Sequence, residues 1–397
     1  MILFGKKHAI SMYATMFFSC LCLLNIFSLD KASALSFQTS AKHVLLMDYE
    51  TGTVLYEKAA DETMFPASMS KIMTALLVFD RLRDGSLTLK TKLPVSEKAW
   101  RMGGSKMFVR AGRNVLVQDL LRGVIVQSGN DASIVLAEAI GGDEKTFAKM
   151  MTKRAHSIGL NSSIFKNSTG WPDSGHVTTA RDLIKLANYI IREYPEYYKY
   201  YSEKKFTYGK SPAGKPITQN NRNPLLYHDT GADGLKTGYI NSSGYGLTAS
   251  GVRKGRRLTM VIHGMRSVRA RTTESRRLYE WGFREFDNLT LFKANEIVDS
   301  ATVWLGDKPQ VPLALQNDLK ITVPIENKKN MKVSIKYVGP ISSPILKGQE
   351  IGVLEVSGAG ISTITRPLFA TEQVGQLNYI GRIVSAISYI IFGASEG

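Results

Sequence analysis

Three short motifs in fixed order constrain this chain more than any other feature: Ser68-Met69-Ser70-Lys71, then Ser128-Gly129-Asn130, then Lys236-Thr237-Gly238. Singly they mean little, because a Ser-x-x-Lys is expected by chance roughly once or twice in a chain of this length and a Ser-x-Asn about once. As a set they supply a nucleophile, its base, a second hydroxyl–amide pair and a cationic anchor for a carboxylate. Order, spacing and local context carry the argument.

Ser68 follows Phe65-Pro66-Ala67, and proline there favours a helix start. A serine so placed sits at the positive end of a helix dipole, which helps a developing oxyanion. Lys71, three residues on, shares its face and can reach the Ser68 hydroxyl. A lysine at its ordinary pKa is nearly all protonated and accepts no proton. Burial and a second cation would lower that pKa, and Lys236 is the candidate cation. Ser128-Gly129-Asn130 lies between the apolar run Val124–Val126 and a helical stretch at Ala132–Ala139. The Ser128 hydroxyl could relay a proton to a leaving amine, and the Asn130 amide could hold Lys71 and a substrate carbonyl. Both residues are also good helix caps, which is the structural alternative. Lys236-Thr237-Gly238 is expected just before a strand, where Lys236 and Thr237 could grip a carboxylate. Gly238 would let a ligand lie close to the backbone. A β-turn is the structural alternative.

The ends of the chain read as addresses. Lys6, Lys7 and His8 precede an apolar stretch, and Ala32-Ser33-Ala34 completes a secretory signal peptide over residues 1–34. Both cysteines, Cys20 and Cys22, fall inside it, so the mature chain is expected to carry no thiol. Near the C-terminus, Leu377, Ile380, Ile383, Val384, Ile387, Ile390 and Ile391 recur at helical spacing. Residues 376–392 therefore read as an amphipathic helix, for a membrane surface or for docking on the protein's own core, within a segment 373–397 too short and polar to span.

The net charge is +17, and its distribution is uneven: residues 35–286 hold 38 Lys/Arg against 23 Asp/Glu, while residues 287–397 hold ten of each. For an exported protein this points to anionic headgroups or an acidic wall polymer. No nucleic-acid motif is present. The six histidines show no metal-ligand spacing and no phosphate-binding glycine loop occurs, so neither metal nor cofactor is implied.

Strand signals at Val44–Asp48 and Val54–Tyr56 flank a hairpin turn. Helices are expected from Ser68 to about Arg83, Val117 to Ala139, Lys145 to Ser157, Ala180 to Glu193 and Thr272 to Phe283, with strands at Tyr245–Gly251 and Leu258–His263. Strands at both ends of a helical block indicate an α/β (α+β) sandwich with one mainly antiparallel sheet over residues 35–286. Residues 287–372, with short alternating runs broken by Gly, Pro, Asn and Asp, read as a small all-β domain.

With these motifs in place the chain resembles the low-molecular-weight penicillin-binding proteins that are D-alanyl-D-alanine carboxypeptidases. Pro66-Ala67-Ser68-Met69-Ser70-Lys71-Ile72-Met73-Thr74 is similar to that family's nucleophile segment, and Gly104-Ser105-Lys106-Met107-Phe108 to its Gly-Ser-x-Met-Phe loop. Gln127-Ser128-Gly129-Asn130-Asp131-Ala132, Thr179-Ala180-Arg181-Asp182, Gly234-Leu235-Lys236-Thr237-Gly238 and Gly244-Tyr245 also fit. So do Trp304-Leu305-Gly306-Asp307 in the β domain and the amphipathic tail. The resemblance implies a β-lactamase/transpeptidase-like fold. It implies Ser68 as acylated nucleophile, Lys71 as general base, Ser128 and Asn130 as proton relay, and Lys236 and Thr237 as carboxylate grip. It places an oxyanion hole at the backbone N–H groups of Ser68 and Tyr239. Tyr239 departs from the His or Phe associated with that position, which implies altered substrate preference. The implied reaction removes the last D-Ala of a peptidoglycan pentapeptide stem on the periplasmic side of the membrane, with β-lactam antibiotics as covalent inhibitors.

Rival readings remain at this stage. A class A β-lactamase would need Glu-x-x-Leu-Asn, and here Leu160-Asn161 is preceded by Ser157 instead. A D,D-endopeptidase acting on crosslinks would use the same residues. A catalytically silent wall- or membrane-binding scaffold is the non-enzymatic alternative.

Overall fold

The computed structural model describes residues 37–358 and 360–392. The expected signal peptide, with Cys20 and Cys22, lies outside the described residues.

A five-stranded sheet in the order β2-β1-β9-β8-β7 organises the first part of the chain. Its strands are β1 (His43–Asp48), β2 (Val54–Lys58), β7 (Ala232–Ile240), β8 (Gly244–Arg253) and β9 (Arg256–Met265), every pair antiparallel. Two ribbons lie between them in sequence: β3 (Lys92–Pro94) with β4 (Asn114–Leu116), and β5 (Lys205–Lys210) with β6 (Pro216–Asn220). Strand alternation assigns the two faces of β1 to two helices. Leu45 packs with Leu183 and Ile184 of the helix Ala180–Glu193. On the other face, the position a Cβ of Gly282 would take, in the helix Val268–Glu285, lies 2.6 Å from Leu46. A glycine is needed there for helix and sheet to touch.

Beyond the sheet, the helices Lys71–Arg83, Val117–Ile125, Asn130–Gly141 and Glu144–Ser157 bury their apolar faces in one core that includes Ile72, Leu76, Leu121 and Phe147. The two helices 117–125 and 130–141 correct the single helix expected over 117–139. The chain breaks at Gln127-Ser128-Gly129, where Ser128 takes φ +61°. The apolar periodicity runs through the break because both pieces face the same core. Lys236-Thr237-Gly238 lies within β7 and not before a strand, at the sheet edge facing the helical block.

The remaining strands form the β domain. These are β10 (Phe286–Phe292), β11 (Ile297–Trp304), β12 (Gln310–Ala314), β13 (Leu319–Pro324), β14 (Met331–Tyr337), β15 (Ile341–Ser342), β16 (Glu350–Gly358) and β17 (Ile361–Ala370). A six-stranded sheet, β14-β16-β17-β12-β11-β15, and the pair β10-β13 enclose a core of Val311, Leu313, Ile321, Leu354 and Leu368. The final helix, Tyr379–Phe392, leaves Tyr379, Ile380, Ile383, Val384 and Ile387 exposed. Among the described residues no helix is long and apolar enough to cross a membrane.

Asp48, fully buried at the end of β1, ties the two parts together. It accepts from Arg256 Nε at 2.8 Å, from the backbone N–H groups of Glu50 and Thr51, and from Asn288 Nδ2 of β10 at 3.2 Å. Beside it Thr51 and Thr322 of β13 share a 2.6 Å hydrogen bond. Breaking a buried pair leaves the surviving charge uncompensated. Asp48→Ala is therefore expected to lower stability by about 3–5 kcal/mol in chemical denaturation.

Candidate active site

The nucleophile turn is shaped by backbone, not by side-chain caps. Ser68, the expected helix start, sits instead in a 3-10 turn, Ala67–Ser70, and the α-helix begins three residues later at Lys71. Ala67 has φ +50°, and its carbonyl is held by the Ser70 hydroxyl at 2.8 Å. Ser70 Oγ in turn lies 2.8 Å from His176 Nε2, while His176 Nδ1 accepts from the Lys166 N–H at 3.3 Å. That bond leaves the proton on Nε2, which donates to Ser70. Burial holds the His176 pKa down to about 4, so the ring stays neutral and the chain of donors keeps its direction. Two glycines wedge the turn. A Cβ on Gly170 (φ +76°) would stand 1.8 Å from the Ala67 carbonyl oxygen, and one on Gly238 2.6 Å from that of Pro66. Gly238 is thus needed for close approach to the nucleophile turn.

Lys71 is 1 % exposed. Its Nζ lies 3.0 Å from Ser68 Oγ, 2.7 Å from Asn130 Oδ1 and 2.6 Å from the carbonyl oxygen of Thr169. Burial, with the Arg222 guanidinium second, brings its pKa from 10.5 down to about 7, against the opposing pull of Asp131 and Glu144. Arg222 is thus a second cation acting on Lys71, beside the expected Lys236. The two lysines repel each other, and Lys236 is 3 % exposed. Its pKa is held well below the ordinary value by burial, then by Lys71, Arg222 and Arg271.

Ser128 and Asn130 are joined to the cleft wall. Asn130 opens its helix, accepts from Lys71, and donates through Nδ2 to the Gly103 carbonyl at 2.9 Å and through its backbone N–H to that of Ser105 at 2.7 Å. Next to it the buried Asp131 carboxylate accepts from the N–H groups of Met107, Phe108 and Val109, fixing the loop that carries Gly104 and Ser105. Neither Ser128 nor Asn130 caps a helix with its side chain. The Ser128 hydroxyl is buried and has no hydrogen-bond partner among the described residues.

Ser68, Ser128, Asn130, Thr237, Gly238 and Tyr239 line one cleft of about 820 Å³, and Lys71 is buried behind Ser68 and Asn130. The motifs do converge. Four further lining residues carry no short-range signal: Thr169, Trp171, Arg222 and Arg271. Arg222 donates to Ser105 Oγ at 2.7 Å. Arg271, 6 % exposed, donates to the Arg222 carbonyl at 3.3 Å and keeps a buried Nε without a partner among the described residues. Burial lowers its pKa to about 10. Opposite, Tyr239 stacks on Tyr245 with ring centroids 4.1 Å apart. Among the described residues no three His, Cys, Asp or Glu side chains are grouped to hold a metal ion. The arrangement offers a serine beside a half-neutral amine, a free hydroxyl and a cationic end wall, and β7 is an edge strand able to pair with an extended peptide.

Residues 30–267 match the family described as D-alanyl-D-alanine carboxypeptidase, and residues 286–376 match the penicillin-binding protein 5 C-terminal domain. The chain is 38 % identical over 323 residues to the D-alanyl-D-alanine carboxypeptidase DacC of Escherichia coli, covering 79 % of each chain. It is 36 % identical over 334 residues to DacA of Haemophilus influenzae, covering 82 % of this chain and 84 % of that one. Among solved structures, penicillin-binding protein 5 of Haemophilus influenzae is similar with a TM-score of 0.75 and 35 % identity, over 86 % of this chain and 99 % of that one. The carboxypeptidase DacD of Francisella tularensis gives 0.77 and 31 %, over 86 % and 95 %.

A base must be neutral to accept a proton, so the acid limb of kcat/KM is expected near pH 7, falling about ten-fold per pH unit below it. Removing the Arg222 charge favours protonated Lys71. Arg222→Gln should therefore move that limb to higher pH in a pH–rate profile.

Proposed function

Because the chain belongs to the D-alanyl-D-alanine carboxypeptidase family, we propose that it removes the terminal D-Ala from peptidoglycan pentapeptides through a Ser68 acyl-enzyme. The observation that carries this reading is the buried Lys71 Nζ, 3.0 Å from Ser68 Oγ and held by Asn130 and Thr169. Ser68 Oγ adds to the carbonyl carbon of the penultimate D-Ala as its proton passes to Lys71. The backbone N–H groups of Ser68 and Tyr239 take the oxyanion. The C–N bond to the last D-Ala breaks, and its nitrogen takes the proton held by Lys71, relayed through the Ser128 hydroxyl, which leaves Lys71 neutral again. Water then adds to the ester carbon, Lys71 accepts its proton, and Ser68 departs with a proton restored. Lys236 and Thr237, with Arg222 and Arg271 behind them, hold the terminal carboxylate. An anion there also favours the charged form of Lys236, so binding restores the ammonium that burial opposes.

A β-lactam presents a carboxylate and a strained amide to the same groups, so it acylates Ser68. We read residues 1–34 as an export signal, with the enzyme working on the periplasmic side of the membrane. The exposed apolar row of the helix Tyr379–Phe392 supports peripheral attachment there.

Release of one D-Ala from a pentapeptide muropeptide, read by mass spectrometry, tests the reaction. Ser68→Ala should reduce it about 10⁴-fold and abolish labelling by a fluorescent penicillin. Splitting of a crosslinked dimer with no D-Ala released from the pentapeptide would move the assignment to endopeptidase. Deleting residues 373–397 should shift the protein from the membrane to the soluble fraction without loss of penicillin labelling.

A further inference from the structure

The surplus positive charge of the catalytic part is concentrated beside the cleft. Residues 98–118 hold five Lys or Arg and no carboxylate, and residues 204–228 hold another five and none. These two segments thus carry ten of the fifteen surplus charges of residues 35–286. The fold packs them together. Gln219 Nε2 of β6 donates to the Lys106 carbonyl at 2.9 Å, and Arg110 reaches the Lys210 carbonyl of β5 at 3.4 Å. The joined surface runs directly into the active-site cleft, because Gly104, Ser105 and Arg222 belong to both. Of the ten cations only Lys98 and Arg101 have a carboxylate within ion-pair distance among the described residues, Glu144 and Glu97 respectively. Lys205, Lys210 and Lys215 on the β5–β6 hairpin are exposed.

Like charges left uncompensated on one face repel, and nothing in the packing of this hairpin requires them. We propose that the β5–β6 hairpin and the 104–110 loop form a docking rim for the carboxylates of the peptidoglycan polymer beside the stem held in the cleft. This rests on the carboxypeptidase reading and extends it from the cut peptide to the strand that bears it. The choice of a polymer over a lipid surface follows from continuity: the rim borders the cleft through Gly104, Ser105 and Arg222, so an anionic strand whose stem is held in the cleft lies beside it. At physiological ionic strength the field of exposed charges fades within about 8 Å. The hairpin lysines Lys205, Lys210 and Lys215 do not line the cleft, so a short peptide confined there makes no contact with them, whereas a polymer lying across the rim does.

The test uses the full chain and the variant Lys205→Glu/Lys210→Glu/Lys215→Glu, none of which touches the catalytic groups. D-Ala release is measured on a short soluble D-Ala-D-Ala peptide and on intact sacculi, with co-sedimentation on sacculi and on phosphatidylglycerol vesicles. The expected result is unchanged kcat/KM on the short peptide and a loss of about ten-fold on sacculi, with the wild-type advantage vanishing at high salt. Equal loss on both substrates, or an undiminished rate on sacculi, would overturn the rim. Loss of vesicle binding with sacculus binding intact would overturn it in favour of a lipid surface. If the wild type released no D-Ala from either substrate, the carboxypeptidase reading would fail, and co-sedimentation with sacculi would still decide the rim.

Discussion

The rest of the site depends on one buried amine. Lys71 lies where an ammonium is costly, and three oxygens surround its nitrogen. A neutral amine has two N–H bonds and one lone pair. Asn130 Oδ1 and the Thr169 carbonyl accept but cannot donate, so they take the two N–H bonds. Only the Ser68 hydroxyl has a proton to give, and the lone pair is left facing it. Geometry thus selects the productive proton arrangement as soon as burial and Arg222 bring the pKa near neutrality. Removing either acceptor would free the amine to rotate, and the base would lose its aim before it lost its basicity.

Holding those acceptors in place shapes the surrounding backbone. Ala67, Phe108 and Ser128 all take positive φ without being glycine, a conformation that costs roughly 1 kcal/mol or more at each. All three lie on segments that frame the cleft, and each is held by a specific contact. The Ala67 carbonyl is bound by Ser70, backed by the neutral His176. Phe108 donates to Asp131. Ser128 sits before Gly129, whose N–H reaches the Gly123 carbonyl at 2.8 Å. Strain is placed where the nucleophile and the relay hydroxyl must point away from regular helix geometry.

How much of this was legible follows from the range of each interaction. Ser68, Lys71, Ser128, Asn130, Lys236 and Thr237 could be read because each motif is local and its residue types are chemically specific. The hairpin β1–β2 is legible from the turn signal Tyr49-Glu50-Thr51-Gly52 between its strands, and the helix Ala180–Glu193 from an apolar face at helical period. The break at Ser128 was hidden, since serine carries no mark of a positive φ and the apolar period continues across it. β7 was hidden because Leu235 to Gly238 are buried on both faces, which erases the alternation of a half-buried strand. Pro312 and Pro367 masked β12 and β17. Arg222 and Arg271, 49 positions apart, meet only through the fold, and Thr169 contributes a carbonyl that any residue could supply.

Taken as a charge distribution, the cleft is built for an anion before one arrives. Lys71, Lys236, Arg222 and Arg271 converge, and none of the residues lining the cleft is a carboxylate. Each cation lowers the proton affinity of its neighbours, and burial adds to the effect on Lys236 and Arg271. A carboxylate entering at the far end relieves this repulsion, and Lys236 gains the charge that holds it. Lys71, already satisfied by two acceptors and Ser68, is the amine best placed to stay neutral. In the proposed reaction the two lysines take different parts because their surroundings differ: Lys71 faces carbonyl oxygens and a hydroxyl, and Lys236 would face the substrate's charge. On the proposed mechanism a single positive field therefore serves both tasks: it would bind the carboxylate at one end of the cleft and favour the neutral form of Lys71 at the other.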